Sequence, residues 1–347
     1  MKRFLVVLAA LVLIGAGAMA WFTWTWTAHG PAATDKVVLI QPGTGLSRVA
    51  QQLEESGAIG NRLVFEAELR WRKQAGQIKA GEYEIPAFAS MAHIAEILIA
   101  GRSIQHRLTV AEGLTSDMIW KLVQANPVLV GDPGPVPIEG TLLPETYLFT
   151  RGQTRQGLLK EMAAAQARFI SDNWPNRRQD LPYTTPEQAV ILASIVEKET
   201  GYADERRMVA AVFVNRLRLR MRLQSDPTII YGLTKGYPLG RGIRQSELDG
   251  VTPYNTYQID GLPPGPIANP GKDALRAVMN PPDSDALYFV ADASGSGRSR
   301  FSSSLGEHNR HVGDLRSAER GLRAVPQNVP TGDIGSQVPR LPRARSR

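Results

Sequence analysis

The chain has 347 residues, of which 43% are hydrophobic, and it carries a formal net charge of +7 and no cysteine. This length allows two or three small domains, and the lack of cysteine excludes disulfides, thiolate catalysis and cysteine-ligated zinc. The positive charge lies at the two ends, in Lys2 and Arg3 and in the residues from 310 onward, where eight arginines face three acidic residues. The formal charges of the residues between these two ends sum to zero. A nucleic-acid role is therefore disfavoured for the folded region.

The N-terminal segment is predicted to be a membrane anchor. Residues 4–22 contain no charge, and a tryptophan cluster of Trp21, Trp24 and Trp26 lies at their far end. An apolar run of about 18 residues or more can span a bilayer. The preceding basic residues favour a cytoplasmic N-terminus, and the tryptophans suit the outer interface. A cleaved signal peptide is the alternative, since residues 18–20 resemble a cleavage site, but the run exceeds the usual hydrophobic region of about 7–15 residues. Either alternative exports the remainder.

Two similar segments follow a short linker at residues 28–36. Residues 37–53 and 108–122 each predict a β-strand, a glycine turn and a capped helix. We interpret them as a degenerate internal repeat. Between them, residues 62–74 and 91–100 have the apolar spacing of helices.

The first segment continues into a second strand. Residues 78–85 alternate like a strand or hairpin around Gly81. Residues 37–85 therefore have the strand–helix–helix–strand order of LysM modules, which bind glycan chains. No aromatic platform for a sugar is evident in them. A spacer that holds the rest of the chain off the membrane is therefore favoured over glycan binding.

The strongest helix signal covers residues 184–201, after a loop rich in proline and glycine at 126–140 and a helix at 158–170. Thr185 can cap the N-terminus, and Gln188 follows three residues later, as in a capping box. Thr200-Gly201 is a stop signal, with the glycine expected in the left-handed conformation.

One carboxylate of this helix is predicted to face apolar surroundings. Leu192, Ile195, Val196 and Glu199 fall at i, i+3, i+4 and i+7, whereas Glu197 points to a different side. Desolvation and the negative end of the helix dipole should raise the pKa of Glu199. An acid that stays protonated near neutral pH can act as a general acid. The alternative, equally open at this point, is a glutamate paired with an arginine or a backbone amide.

The next segments supply polar groups. Residues 204–221 predict an amphipathic helix in which Asn215 shares a face with Met208, Ala211, Val212 and Leu219. Residues 223–232 are extended at first and then helical. The proline-rich loops at 253–257 and 261–270 suit a cleft wall, although a structural Ω-loop is the simpler interpretation of each.

The C-terminal part begins with a short helix at 273–278. Residues 286–291 predict a buried strand, with 299–302 as its partner across a Gly/Ser turn. Residues 307–312 close the domain. Beyond 316 the content of Pro, Arg, Gly and Gln predicts a disordered tail, for which solvation is favoured over binding to an acidic surface.

The residue types narrow the chemistry. The five histidines lack the spacing of a metal site, and neither a nucleophile elbow nor a nucleotide-binding loop is present, so no metal or cofactor is expected. Glycan cleavage fits one well-placed carboxylic acid together with amides and hydroxyls on loops. Ordinary glycosidases use two carboxylates, and Asp226 could serve as the second.

Several long motifs resemble the endolytic murein transglycosylases, the MltG or YceG-like family. They occur in the family's order from about residue 37 to 312: EGTLLPETYLF, ASIVEKETG, ADERRMVAAVFVNRLRLRMRLQSDPTIIYGL, YNTYQIDGLPPGPIANPG, ALYFVAD and FSSSLGEHNRHV. The resemblance implies a single-pass protein of the cell inner membrane, with its N-terminus in the cytoplasm and its catalytic domain in the periplasm. It also implies cleavage of the β-1,4 bond from N-acetylmuramic acid to N-acetylglucosamine within peptidoglycan strands. The family's catalytic glutamate, the second Glu of EKET, matches Glu199.

The expected fold is α+β: a transmembrane helix, a LysM-like α+β subdomain and a mixed α+β catalytic domain. The expected parts are an N-terminal anchor, a LysM-like subdomain, a linking α+β segment, a catalytic domain and a disordered basic tail, at 1–27, 28–107, 108–150, 151–315 and 316–347.

We expect a lytic transglycosylase, a lyase in which Glu199 acts first as the general acid and then as the base. The residues expected to bind substrate are Asn215, Gln224, Asp226, Tyr254 and Asn255. The expected partners are peptidoglycan strands and peptidoglycan synthases. Two alternatives remain: a non-catalytic scaffold that binds glycan or a synthase, and a hydrolase that uses Asp226 with water.

Overall fold

A computed structural model describes residues 2–324, which contain twelve α-helices and six β-strands. Up to residue 125 the elements are α1 (Lys2–Thr27), β1 (Lys36–Ile40), α2 (Leu46–Glu55), α3 (Arg62–Trp71), β2 (Gly81–Ile85), α4 (Met91–Ala100), β3 (His106–Thr109) and α5 (Ser116–Ala125). They continue with β4 (Thr146–Phe149), α6 (Arg155–Asn173), α7 (Pro186–Glu199), α8 (Arg206–Arg218), α9 (Asp226–Thr234), α10 (Gln245–Asp249), α11 (Lys272–Met279), β5 (Tyr288–Ala291), β6 (Ser299–Ser302) and α12 (Leu305–Ala324).

The predicted anchor forms the single helix α1. It is the one helix among the described residues that is long and apolar enough to cross a membrane. Its last turns are part of the protein core, because Trp26 is only 5% exposed and Phe22 packs against the same cluster. The helix therefore has a solvent-facing apolar portion and a short portion that is fixed to the first subdomain.

The first subdomain has the predicted strand–helix–helix–strand order. Strands β1 and β2 pair antiparallel, with Val38 opposite Tyr83. The core between the strands and α2–α4 includes the fully buried Phe65 and Tyr83. The predicted helix at 91–100 is confirmed, and it ends at Gly101 in the left-handed conformation (φ 72°). The order of elements is thus confirmed, whereas the likeness to LysM modules stays a prediction.

The second segment repeats the first strand, turn and helix. Strand β3 pairs antiparallel with β4, as β1 pairs with β2. Gly43 and Gly113 occupy equivalent turns, with φ of 80° and 75°. A residue with a Cβ would be strained at such angles, so both turns favour glycine. The two predicted strand–turn–helix segments are therefore confirmed, with a separate apolar core behind the second.

Helix α7 is the centre of the following region. It packs against α8, α9 and α11, while α11 also contacts α6. The loop at 261–270 is attached to α7, because the Ile267 amide donates to Ser194 Oγ at 3.0 Å. Buried Asn269 holds the other end of this loop, accepting from the Leu142 amide at 2.9 Å and donating to Glu139 Oε1 at 3.1 Å. These contacts support a structural role for the loop.

The described residues from 284 onward form a second compact unit. Strands β5 and β6 pair antiparallel across the predicted turn, and α12 packs on both. The prediction of a buried strand at 286–291 is wrong, because β5 is half-exposed: the two-stranded ribbon is covered by α12 alone within this unit.

Regular structure also extends past residue 316, where a disordered tail was expected. Helix α12 continues to Ala324, since half-buried Val312 and Leu315 continue an apolar face at helical spacing. Residues 325–347 of the expected tail lie outside the described part of the chain. The predicted domain boundaries stay predictions.

Candidate active site

Helix α7 begins with the predicted capping box. The Thr185 hydroxyl accepts from the Gln188 amide at 3.3 Å, and Gln188 Oε1 accepts from the Thr185 amide at 3.2 Å. Each bond satisfies an amide that the first turn leaves unpaired. At the other end Thr200 is extended (φ −137°, ψ 134°) and stops the helix. The expected left-handed Gly201 is therefore wrong, and Glu199 is the last helical residue.

The apolar face of α7 leads directly to Glu199. Leu192, Ile195 and Val196 are fully buried, as their spacing predicts. Glu199 follows on the same face, where its Oε1 accepts a hydrogen bond from the hydroxyl of Ser225. The carboxyl group thus lies between a buried apolar surface and the start of α9.

The pKa of Glu199 is raised to about 7, chiefly by burial, with the nearby charge of Asp226 acting in the same direction and the Ser225 hydrogen bond and the Arg216 charge acting against it. A carboxyl with this pKa is protonated in about half of the molecules at neutral pH. It can therefore both give and take a proton in one cycle. A raised pKa favours the general acid over the alternative of a glutamate held ionised by an arginine.

Ser225 is fixed by contacts with a second loop. It is buried, its amide donates to Thr256 Oγ1 at 2.9 Å, and its carbonyl accepts from Thr228 Oγ1 at 2.6 Å. The neighbouring Gln224 amide donates to the Thr256 carbonyl at 3.0 Å. The segment ahead of α9 is thus tied to the loop at 253–257, so the hydroxyl that meets Glu199 has a defined position.

Arg216 of α8 is hydrogen-bonded to the same segment. Its Nη1 donates to the Leu223 carbonyl at 2.7 Å, and the residue is buried. A buried guanidinium keeps its charge, so Arg216 also favours the ionised form of Glu199. This arginine therefore opposes the effect of burial and limits how far the pKa of Glu199 rises.

A second carboxylate lies next to this pair. Asp226 Oδ1 accepts from the Tyr257 hydroxyl at 2.7 Å, and Asp226 is exposed. Burial, followed by this hydrogen bond, raises the pKa of Tyr257 above its ordinary value, so the phenol keeps its proton. Asp226 thus faces solvent beside Glu199 with one oxygen oriented by a tyrosine.

The structure brings some of the predicted substrate-binding residues together. Gln224 and Asp226 are exposed and flank Ser225, immediately beside Glu199. Tyr254 is half-buried, with its ring centroid 4.8 Å from that of Tyr231. Asn215 is half-buried and accepts from Arg218 Nη1 at 3.2 Å. The apolar face predicted around Asn215 is wrong at Leu219, which lies just past the end of α8 and is exposed.

Asn255 has a structural role, which corrects its predicted contact with substrate. The side chain is buried, and its Nδ2 donates to the carbonyls of Glu247, Leu248 and Gly250 at 3.1, 3.0 and 2.6 Å. Its Oδ1 accepts from the Tyr257 amide at 3.0 Å. The amide is therefore used in joining the end of α10 to the loop that carries Tyr257.

Three residues of the site were not predicted from the sequence: Ser225, Thr256 and Tyr257. Ser225 lies between two predicted residues, and Thr256 and Tyr257 belong to the same loop as Tyr254. Their side chains act through contacts with residues about 30 positions away, such as Tyr257 with Asp226. Hydroxyl groups in a loop beside candidate site residues are the signal that could have indicated them.

Glu197, on the other side of α7, is part of a structural ion pair. Its Oε1 accepts from Arg206 Nη2 at 3.0 Å, and its Oε2 accepts from the Gly271 amide at 2.9 Å. The same arginine nitrogen donates to Glu112 Oε2 at 2.9 Å. Burial raises the pKa of Glu197, while the Gly271 amide and the Arg206 charge lower it. The two glutamates of the helix end therefore have different partners: an arginine and a backbone amide for Glu197, and a hydroxyl for Glu199.

Within residues 2–324, no group of three or more His, Cys, Asp or Glu side chains is placed to hold a metal ion.

Comparisons with known proteins agree on one family. Residues 38–314 match the model of the YceG-like family. A Streptococcus pneumoniae (strain D39) protein named endolytic murein transglycosylase is 29% identical over 322 residues, covering 79% of this chain and 57% of the relative. A Bacillus subtilis protein of the same name is 33% identical over 175 residues, covering 50% and 47%. The chain thus spans about half the length of these curated relatives. A crystal structure of a yceG-like protein from Listeria monocytogenes, 28% identical, aligns with a TM-score of 0.49 over 80% of this chain and 98% of that one.

Proposed function

Because the chain belongs to the YceG-like family, we propose that it is an endolytic lytic transglycosylase. It would cleave the β-1,4 bond from N-acetylmuramic acid to N-acetylglucosamine inside peptidoglycan strands. The observation that carries the proposal is Glu199, a carboxyl at the end of a buried helix face with its pKa raised to about 7. The names of the Streptococcus and Bacillus relatives support the same substrate.

In the first step Glu199 donates its proton to the glycosidic oxygen. The bond from that oxygen to C1 of N-acetylmuramic acid breaks, and N-acetylglucosamine leaves with a free hydroxyl. The positive charge at C1 is shared with the ring oxygen or the 2-acetamido group of the same sugar. Glu199 is left as a carboxylate, which Arg216 stabilises in the site.

In the second step Glu199 removes the proton from the C6 hydroxyl of the same sugar. The C6 oxygen forms a bond to C1, which gives a 1,6-anhydro end and restores the protonated acid. One carboxyl serves both steps because the substrate supplies the nucleophile, so no water is consumed. A pKa near 7 suits both directions of transfer, since neither form of the carboxyl is strongly favoured.

Asp226 would assist without reacting. Its charge raises the pKa of Glu199, and its oxygen is oriented by Tyr257. We assign Gln224, Tyr254 and Asn215 to the orientation of sugar hydroxyl and acetamido groups. Each of these side chains is at least partly exposed.

We propose that α1 anchors the protein in the inner membrane, with Lys2 and Arg3 in the cytoplasm and the catalytic part in the periplasm. The helix is long and apolar enough to span, and basic residues at one end favour this direction. A partnership with peptidoglycan synthases stays a prediction.

The test is Glu199→Gln in the full chain, incubated with purified peptidoglycan and analysed by mass spectrometry. We expect the wild type to release fragments with 1,6-anhydro ends and the variant to release none. The matched control is Glu187→Gln, an exposed glutamate in the first turn of the same helix, which should keep full activity. Full activity of Glu199→Gln would refute the assignment of this residue.

The nature of the product ends separates the remaining alternatives. Reducing ends in place of anhydro ends would indicate a hydrolase that uses Asp226 with water, for which the proximity of Asp226 to Glu199 is the supporting observation. Absence of cleavage by the wild type, together with retained glycan binding in both proteins, would indicate a scaffold.

A further inference from the structure

The C-terminal end of α1 is fixed to the first subdomain. Trp26 lies in the core, with its ring centroid 5.9 Å from that of Phe65, and the Arg72 guanidinium lies 5.4 Å from the Trp26 ring centroid. Phe22, one turn earlier, packs against the same cluster. Because side chains of α1 belong to this core, the helix and the subdomain form one rigid piece.

The length of α1 sets where a bilayer would meet this subdomain. The 26 residues of Lys2–Thr27 extend over about 39 Å at 1.5 Å per residue. The hydrocarbon core of a bilayer is about 30 Å thick and takes about 20 residues. A span that starts at Lys2 therefore leaves the hydrocarbon near Trp21, next to Phe22, where the helix meets the protein core.

Helix α3 presents an exposed apolar stripe beside α1. The stripe consists of Leu63, Ala67 and Trp71, which lie at i, i+4 and i+8 and so share one face. Leu63 is 68% exposed and Trp71 is 85% exposed. Side chains of this size are rarely left in water together on one helix face without a function.

The Ala67 and Trp71 end of the stripe lies beside the outer part of the proposed membrane span. A groove of about 580 Å³ separates the end of α3 from α1; Ala67 and Trp71, with the Glu68–Arg72 ion pair, line one side, and mostly apolar residues of α1 from Gly15 to Thr23 line the other. Gly15 and Met19 precede Trp21 and so belong to the part of α1 within the hydrocarbon. Trp71 therefore faces the outer part of the α1 span, close to the interface where tryptophan is enriched.

We propose that the Leu63–Ala67–Trp71 stripe is a second membrane contact, which lies in the outer interface of the bilayer that α1 crosses. The inference rests on the proposed anchor. Ion pairs border the stripe at Arg70–Glu66 and Arg72–Glu68, and such charged pairs are suited to the lipid headgroup level. The first subdomain thereby rests on the membrane, and the groove takes a lipid chain. Two contacts fix the tilt of the subdomain as well as its height.

The chain lacks cysteine, so single cysteines can be labelled without removing others. Trp71→Cys and Leu63→Cys in the full chain would carry an environment-sensitive fluorophore in nanodiscs of phosphatidylethanolamine and phosphatidylglycerol. Both positions are exposed, so the fold should tolerate the change. Two controls accompany them: Leu11→Cys within α1, and Val251→Cys, which is 80% exposed outside the first subdomain.

We expect blue-shifted emission at positions 71 and 63, with strong quenching by nitroxides near the lipid headgroup. Label at position 11 should be quenched by deep nitroxides, and label at position 251 by neither. If position 71 behaves like 251 while position 11 lies in lipid, the second contact is overturned and the anchor stands. A water-exposed label at position 11 would refute the anchor itself. Shielding from water at position 71 without lipid quenching would mean that protein covers the stripe, for instance a second copy, which also overturns the proposal.

Discussion

Replacing Glu199 by glutamine should stabilise the fold at neutral and alkaline pH while it removes the catalytic proton. The carboxyl lies against the buried face of α7, and its ionised form is disfavoured there. Glutamine has nearly the same shape, and its carbonyl oxygen can still accept the hydrogen bond from Ser225. The substitution therefore changes the charge with little effect on packing.

The magnitude follows from the pKa in the two states. The pKa is 4.5 for an ordinary glutamate and about 7 for folded Glu199. Below pH 4.5 both states bind the proton, and the carboxyl imposes no penalty. As the pH rises from 4.5 to 7 the unfolded chain ionises first, so the wild type loses stability over this interval. At about 1.4 kcal/mol for each pH unit of difference, the loss reaches about 3 kcal/mol above pH 7.

The assay is equilibrium unfolding of the full chain in detergent by denaturant at several values between pH 4 and pH 8. We expect the free energies of unfolding of Glu199→Gln and the wild type to be nearly equal at pH 4. At pH 8 the variant should be more stable by about 3 kcal/mol. Glu187→Gln, which changes an exposed carboxylate on the same helix, is the control and should show no comparable growth. A difference that does not change with pH, or a less stable variant at pH 8, would refute the buried acid.

Four further outcomes follow from the contacts of the site. Ser225→Ala removes a hydrogen bond that lowers the pKa of Glu199, so this pKa should rise. The alkaline limb of the rate of anhydro-end release should therefore shift to higher pH. Asp226→Asn should shift the same limb to lower pH, because it removes a charge that raises that pKa; a shift opposite to the expected one in either variant would contradict the assignment of that residue. Asn255→Ala should cost about 3 kcal/mol in the free energy of unfolding measured with denaturant, since three backbone carbonyls lose their donor. Arg206→Ala should cost about 3 kcal/mol in the same measurement, because it leaves the buried Glu197 carboxylate without its cationic partner; an unchanged midpoint would exclude the ion pair as a structural element.

The sequence predicted α7 well because the forces that define it act over a few residues. The capping box joins Thr185 to Gln188, and the buried face repeats at helical spacing up to Glu199. Both signals are local, so they appear in the sequence before any tertiary structure is known. The side on which Glu199 lies followed from the same spacing.

The partners of Glu199 could not be predicted in this way. Ser225 is 26 positions further along the chain, and its contact with Glu199 depends on how α8 and α9 are placed around α7. The role of Asn255 could not be predicted from the sequence either, because it also depends on tertiary contacts. An amide in a proline-rich loop has the same sequence signal whether it meets a ligand or joins the end of a helix, and only the three carbonyls around it distinguish these roles.

Composition misled at the C-terminus, where arginine and glycine suggested disorder beyond residue 316. Composition averages over all faces of a segment, whereas a helix needs only one apolar face. Val312 and Leu315 supply such a face to α12, and the helix continues to Ala324.

Because Glu199 lies at the end of α7, the fold stays stable despite the free-energy penalty of burying its carboxyl group. Burial of a large aliphatic side chain contributes about 1.5–3 kcal/mol, and Leu192, Ile195 and Val196 are all fully buried in the turns before Glu199. Their sum exceeds the penalty of about 3 kcal/mol that the carboxyl imposes above pH 7. Were the acid in the middle of the helix, the same face would lose one of these side chains. At the last turn the acid takes its raised pKa from the apolar face and still reaches the Ser225 hydroxyl, next to the exposed Asp226 at the start of α9.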